Sequence, residues 1–490
     1  MASVQLNGEG GAGSSRLMGT SEENWTKSTA LGTGLAVFAI ALRRSLEVRW
    51  VTEAAREVME QHSLLRAQAV QNAKGKLAFQ VSSEAASLSV EVLPWPSREL
   101  ASSSCLSGVL VLPDDEGDNA FSLAFDQVIR QEMNAPFLNS EGKPSLPLDL
   151  FQIHVYSEPS QSQTIIIMRF HSSGLDRPSA VTVVQEFFTA LNAIVDGAAP
   201  QLSDNPGTSV LLAPIEELIP KGKASKNFLQ KGLDTVGYAL NAKKYALLPF
   251  QPNYTDQRKE PFHSDFLTYT LGRAATLDLL GACKQENTTL AGALAAAFLK
   301  AASNMKEIKD QKKDEFNFTS LVDCRCHFEP TLPECVMGNY VSGIPQTQQV
   351  KENMTFWDVA RAVSSTTEKE LSKYRHFSEL PVINLLFSQV LKHPGVTPGS
   401  SMRTALFSLF VDKPLEGKWK DVEKLNVAAA CGPMPSMHGV GPCFSVTEML
   451  MEGPDLCVSL VYAQPVFNRD QMHTYATAVV ELLNSAAKNH

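Results

Sequence analysis

Residues 163–170, QTIIIMRF, form an apolar run that leads into a short polar loop, HSSGLDRPS, and then into AVTVVQEFFTALNAIVDG. The run reads as a buried strand. The stretch after the loop repeats its apolar residues at helical spacing, with Pro178 and Ser179 near its start and Gly197 past its end. These signals predict a strand over 164–170 and a helix over 180–195. A histidine and an aspartate, His171 and Asp176, then sit in the loop at the end of that strand, where side chains of a buried sheet emerge at a site.

The rest of the chain follows the same α/β alternation. GLAVFAIAL (34–42), 316–325 and 455–463 read as strands, EVRWVTEAAREVMEQHSLL (47–65) and 468–487 as helices, and LDLFQIHVYSE with QTIIIMRFH as a hairpin. A chain of 490 residues is too long for one hydrophobic core. Between 201 and 262 the character shifts to Pro, Gly and polar residues, which marks an inter-lobe segment. The expected organisation is a Gly/Ser-rich, disordered 1–15, an N-terminal lobe over 16–200, the segment 201–262 and a C-terminal lobe over 263–490. The fold class is mixed α/β with two lobes, and ligands of such proteins usually bind where the lobes meet.

A net charge of −9 and a pI near 5.7, without a clustered basic face, argue against a nucleic-acid partner. The start of the chain lacks the pattern of a signal peptide, and ALGTGLAVFAIAL, at 13 residues, is too short to span a membrane. A cytoplasmic monomer is the expectation. Of the 8 cysteines, none falls in a CxxC pair. Cys324 and Cys326 on an alternating strand would share one face, which leaves a metal or redox role open beside the reading of buried reduced thiols; no metal is assigned. Glycine motifs for nucleotide phosphates are absent.

Four pieces, in order along the chain, carry a family resemblance: EVMEQHSLLRAQ, FHSSGLDR, VDCR followed by MGNYVSG, and LVYAQPVFNRDQMHTYA. Together they resemble the superfamily of chloramphenicol acetyltransferase, peptide-synthetase condensation domains, alcohol acetyltransferases and plant BAHD acyltransferases. The resemblance covers roughly 15–488. It implies two chloramphenicol-acetyltransferase-like lobes with a tunnel between them. The Asp-Phe-Gly-Trp-Gly motif of the BAHD branch is absent, and the Ser-Ser-Gly-Leu-Asp-Arg version is most similar to a plant group of condensation-like proteins.

The resemblance implies roles for residues. FHSSGLDR matches the family's His-His-x-x-x-Asp-Gly, whose second histidine is the general base for attack on an acyl thioester. Here the first histidine is His171, the base position is Ser172, the aspartate is Asp176, and Arg177 replaces the glycine. Asp176 would be structural, paired with Arg325 or with its neighbour Arg177. Asn339 matches a Gly-Asn segment beside the tunnel. Ser445 and Thr447 alternate on one strand face near where relatives steady an oxyanion, and also fit an ordinary polar strand face. His438, on a Gly/Pro-rich loop, is a substitute base or a surface histidine.

A neutral serine cannot act as the family's base. Three readings stay open at this point: His171 moves into the tunnel, positioning replaces the base, or the fold is kept for binding or assembly without turnover. The implied activity is transfer of an acyl group from a CoA-type thioester to an alcohol or amine in plant-like specialised metabolism. Acyl-CoA would be the co-substrate, a small-molecule donor and acceptor the partners, and no cofactor would stay bound. An enzyme turned to elimination or cyclisation and a non-catalytic scaffold are the alternatives.

Overall fold

In a computed structural model the described residues of the chain build three sheets. The residues described are 14–81, 90–96, 109–110, 119–139, 143–200, 211–223, 262–305, 315–393, 404–410, 425–437, 443–450 and 455–488. His438, Cys105, residues 1–13 and most of the segment 201–262 lie outside them.

A five-stranded sheet runs in the order β14 (Val427–Met437), β2 (Thr33–Leu42), β9 (Gln163–His171), β8 (Phe151–Glu158), β5 (Val90–Leu93). A seven-stranded sheet runs β12 (Val341–Gln349), β11 (Glu315–Asp323), β13 (Ala405–Ser408), β15 (Phe444–Leu450), β16 (Leu456–Gln464), β10 (His263–Leu271), β6 (Val109–Leu110). A small sheet, β1 (Ser15–Leu17), β4 (Leu77–Val81), β3 (Ala67–Gln71), β7 (Leu148–Asp149), flanks the first.

The apolar run 163–170 is the centre of the five-stranded sheet, and every residue of β9 is buried. Helices cover both faces, so the strand needs no polar side. One face carries α2 (Val48–Gln61) and α4 (Arg177–Val195), with Phe188 of α4 packed edge-on against Phe38 of β2. The other face carries α3 (Asn119–Asn134) and the chain just after it, where Arg169 Nη2 donates to the Ala135 and Pro136 carbonyls at 2.7 and 3.0 Å.

The strand expected over 316–325 stops at Asp323, whose Oδ1 accepts from the Arg325 N–H, and Arg325–His327 form a 3-10 turn. Strand alternation ends there, so Cys324 is buried and Cys326 exposed, and the two thiols do not share a face. Among the described residues no cluster of three or more His, Cys, Asp and Glu is placed to hold a metal ion.

Each half of the chain contributes to the other's sheet. β14 pairs with β2, and β6 with β10. One core surrounds the five-stranded sheet and another the seven-stranded sheet. Phe266, Met449, Cys457 and Val461 come from the seven-stranded sheet yet pack into the first core, so that sheet turns one face toward the first lobe. Ser445 and Thr447 alternate with the second core's Phe444 and Val446, and therefore share the face of Met449.

Candidate active site

The loop after β9 is held by an almost complete set of bonds. The His171 carbonyl accepts from the Gly174 and Leu175 N–H groups at 3.2 and 3.0 Å, closing a tight turn. A Cβ on Gly174 would lie 2.6 Å from Leu150 Cδ1, so the turn packs flush on the chain beside it. Asp176 then caps α4: its Oδ1 accepts from Ser179 N at 2.9 Å and Ser179 Oγ at 2.7 Å, with Pro178 in the first helical turn.

Asp176 does more than cap. Arg325 Nη1 donates to Asp176 Oδ2 at 2.9 Å and Nη2 to Oδ1 at 3.0 Å, while Tyr340 N donates to Oδ2 at 2.8 Å. Arg325 is also held by the Val336 carbonyl, by Asp323 Oδ1 and by Ser179 Oγ. Burial alone would lower the Arg325 pKa, but the carboxylates of Asp176 and Asp323 outweigh it and raise it further. The second arginine offered by the sequence goes elsewhere: Arg177 reaches the Glu448 carbonyl and lies 3.2 Å from Glu448 Oε1.

The segment Gly338–Tyr340 laces this loop to the other lobe. The Gly338 carbonyl accepts from Asp176 N at 3.1 Å, and Asn339 Nδ2 donates to the Ser172 carbonyl at 2.9 Å. A Cβ on Gly338 would fall 2.1 Å from the Tyr340 ring, which makes a larger residue incompatible with this geometry.

His171 faces inward. It is fully buried, edge-on to Phe137 with ring centroids 5.3 Å apart. Its Nδ1 accepts from the Ser173 N–H at 3.3 Å and lies 2.7 Å from Ser173 Oγ. Nδ1 therefore carries the lone pair, and the proton of the neutral ring sits on Nε2, a buried atom without a partner among the described residues. Burial holds the pKa down at about 4. Ser172 is the one residue of 171–176 that is only half-buried; its N–H donates to the Gly34 carbonyl at 2.9 Å. Across the lobes, Ser445 and Thr447 are buried, and Ser445 Oγ has no hydrogen-bond partner among the described residues.

The structure thus brings His171, Ser172, Asp176, Arg325 and Asn339 into one bonded unit, and places Arg177 against β15, the strand of Ser445 and Thr447. Sequence reading missed Ser173, Ser179, Asp323 and Glu448. Only Ser179 left a local sign, as the residue three after a capping aspartate.

No family model and no curated protein matches the sequence. Solved structures do. The first condensation domain of the calcium-dependent antibiotic synthetase, in complex with a substrate analogue, is similar at 13% identity with a TM-score of 0.63, over 96% of each chain. The epimerization domain from the third module of tyrocidine synthetase B is similar at 12% identity with a TM-score of 0.64, over 98% of each chain. Polyketide synthase associated protein 5 from Mycobacterium tuberculosis is similar at 13% identity with a TM-score of 0.63, over 97% of this chain and 99% of that one. The fold is that of a condensation domain. In the terms of the condensation-domain fold, β9, its loop and α4 belong to one lobe, and β11, β12 and β15 belong to the other.

Proposed function

We propose that this chain binds an acyl thioester of the CoA type and an alcohol or amine acceptor between its lobes, and that acyl transfer there relies on positioning instead of a histidine base. One observation carries the reading: the bonds that hold the loop are in place around Asp176, while Ser172 stands where the family resemblance places the base and His171 is enclosed. A serine hydroxyl stays protonated at neutral pH, and His171 offers a buried, proton-bearing Nε2. Holding two reactants in register supplies effective molarities on the order of 10⁵–10⁸ M without a base. The proposal takes the chain as a cytoplasmic monomer of plant-like specialised metabolism, with acyl-CoA as co-substrate and no resident cofactor.

The test is purified protein with octanoyl-CoA and a panel of amines and alcohols, read by equilibrium binding and by release of free CoA thiol. Saturable binding, with turnover unchanged in His171→Asn, is expected. Loss of all turnover in a folded His171→Asn protein that still binds would overturn the base-free mechanism. The enclosed His171 also favours a second reading, a ligand-binding protein without turnover; saturable binding without thiol release assigns the chain to it.

A further inference from the structure

The parallel ladder between β13 and β15 contains an interruption that the loop fills. Ala405 stands opposite Phe444 and Ser408 opposite Thr447, and the Phe444 N–H donates to the Thr404 carbonyl at 3.4 Å. Parallel ladders repeat their bonds at even spacing, so the next step would give the Glu448 carbonyl to the Phe410 N–H. Neither group makes that bond. The Phe410 N–H donates instead to Glu448 Oε1 at 2.9 Å, and the Glu448 carbonyl accepts from Arg177 Nη2. The Arg177 guanidinium lies where the two strands part, 5.3 Å from the centre of the Phe410 ring and 3.2 Å from Glu448 Oε1.

This gives the loop a second mooring. Asp176 and the Ser172 carbonyl are tied to Arg325, Asn339 and Tyr340, in the connection between β11 and β12. Arg177 is tied to β15, which lies on the far side of β13 from β11. A loop fixed at one side can pivot; a loop fixed at both cannot. We propose that Arg177 is a positioning residue, which clamps residues 171–176 against β15 and so sets where Ser172 stands relative to the hydroxyls of Ser445 and Thr447. The planar fork suits the task, because one guanidinium meets a carbonyl, a carboxylate and a ring face together. Both side chains of the pair are largely buried, so water does not replace either partner cheaply.

Hydrogen exchange, followed by mass spectrometry on peptides covering 172–176, 406–410 and 445–450, tests this. Arg177→Gly should speed exchange roughly tenfold in all three, including the loop, through local opening. Arg177→Lys, which keeps the charge without the fork, should recover only part of the protection. Glu448→Gln should loosen the loop less than Arg177→Gly, yet measurably. Faster exchange in 406–410 and 445–450 with wild-type rates in 172–176 would overturn the proposal, because Arg177 would then serve the sheet alone. Should Arg177→Gly fail to fold, Glu448→Gln decides on the same comparison, and unchanged loop exchange overturns it. These readouts need no ligand. Failure of the wild-type chain to bind octanoyl-CoA would count against the function proposed above and leave the role of Arg177 resting on the exchange rates.

Discussion

The guanidinium of Arg325 meets the carboxylate of Asp176 across 149 residues of chain, through Nη1 to Oδ2 at 2.9 Å and Nη2 to Oδ1 at 3.0 Å. The two side chains are 1% and 3% exposed, so neither charge has water to fall back on. The same carboxylate caps α4 and accepts from Tyr340 N, which joins a helix start and the connection between β11 and β12 at one group.

Asp176→Ala should therefore destabilise the protein by about 3–5 kcal/mol, because it removes the α4 cap and the bidentate carboxylate of a buried guanidinium, leaving Asp323 as the carboxylate still bonded to Arg325. A double-mutant cycle by urea denaturation should show strong coupling between Asp176 and Arg325 and little between Asp176 and Arg177, whose partner is Glu448. Zero coupling to Arg325 would contradict the ion-pair role.

His171 predicts an acid-sensitive stability. Its folded pKa is depressed to about 4 by burial, whereas an unfolded histidine titrates near about 6.5. The unfolded state then binds more protons between those values, so stability falls as pH drops through this window. The loss amounts to on the order of 3 kcal/mol for this residue. His171→Asn, whose Oδ1 can still accept from Ser173, should flatten that slope between about pH 6.5 and 4 in chemical denaturation. An unchanged slope would mean the ring is not titrating with unfolding.

Ser172→His restores a base where the family resemblance places one. If the remaining site accepts donor and acceptor, acyl transfer from octanoyl-CoA should rise by as much as about 10²–10⁴, the range a positioned general base supplies. The gain should follow the titration of the new imidazole. A Ser172→His protein that binds octanoyl-CoA as the wild type does but transfers no faster would show that the missing base is not what limits the reaction.

Ser179→Ala tests the junction behind the loop. Ser179 Oγ accepts from Arg325 Nη2 and from Gly338 N, and bonds Asp176 Oδ1. Removing it leaves the Gly338 N–H buried without this acceptor, at a cost of about 1–3 kcal/mol. Thermal melting should show the loss, and Ser179→Thr should recover part of it. A neutral Ser179→Ala would mean that Asp176 and Arg325 hold the junction by themselves.

Local pattern made much of this protein legible. The apolar run 163–170, the capped helix after it and the strands at 34–42 and 455–463 carry their own periodicity, and the structure places strands and a helix there with small shifts at the ends. The start of α4 was readable from Pro178 and Ser179, although the cap itself, Asp176 accepting from Ser179 N, was not read from the sequence. Ser172 was equally visible at the position where the family resemblance places a histidine.

Contacts distant in sequence left no such trace. Nothing in VAAACGPMPSM announces that β14 joins β2, with register shifts at three points and a Gly432 whose φ is +100°, because its partner lies about 400 residues away in sequence and the segment lacks a regular alternation to fix a register. Which arginine takes Asp176 was not legible from local pattern: the family comparison pointed to Arg325 and adjacency to Arg177, and in the structure Arg177 reaches Glu448 while Arg325 comes from the turn after β11. The burial of His171 follows from its place at the end of a strand covered on both faces, but the acceptor role of Nδ1 depends on Ser173 folding back in a tight turn beside the ring. Residue identities and short-range periodicity set the elements and put a serine where the resemblance places a base; burial and the geometry between lobes, which exist only once the chain has closed, decided what each of those side chains holds.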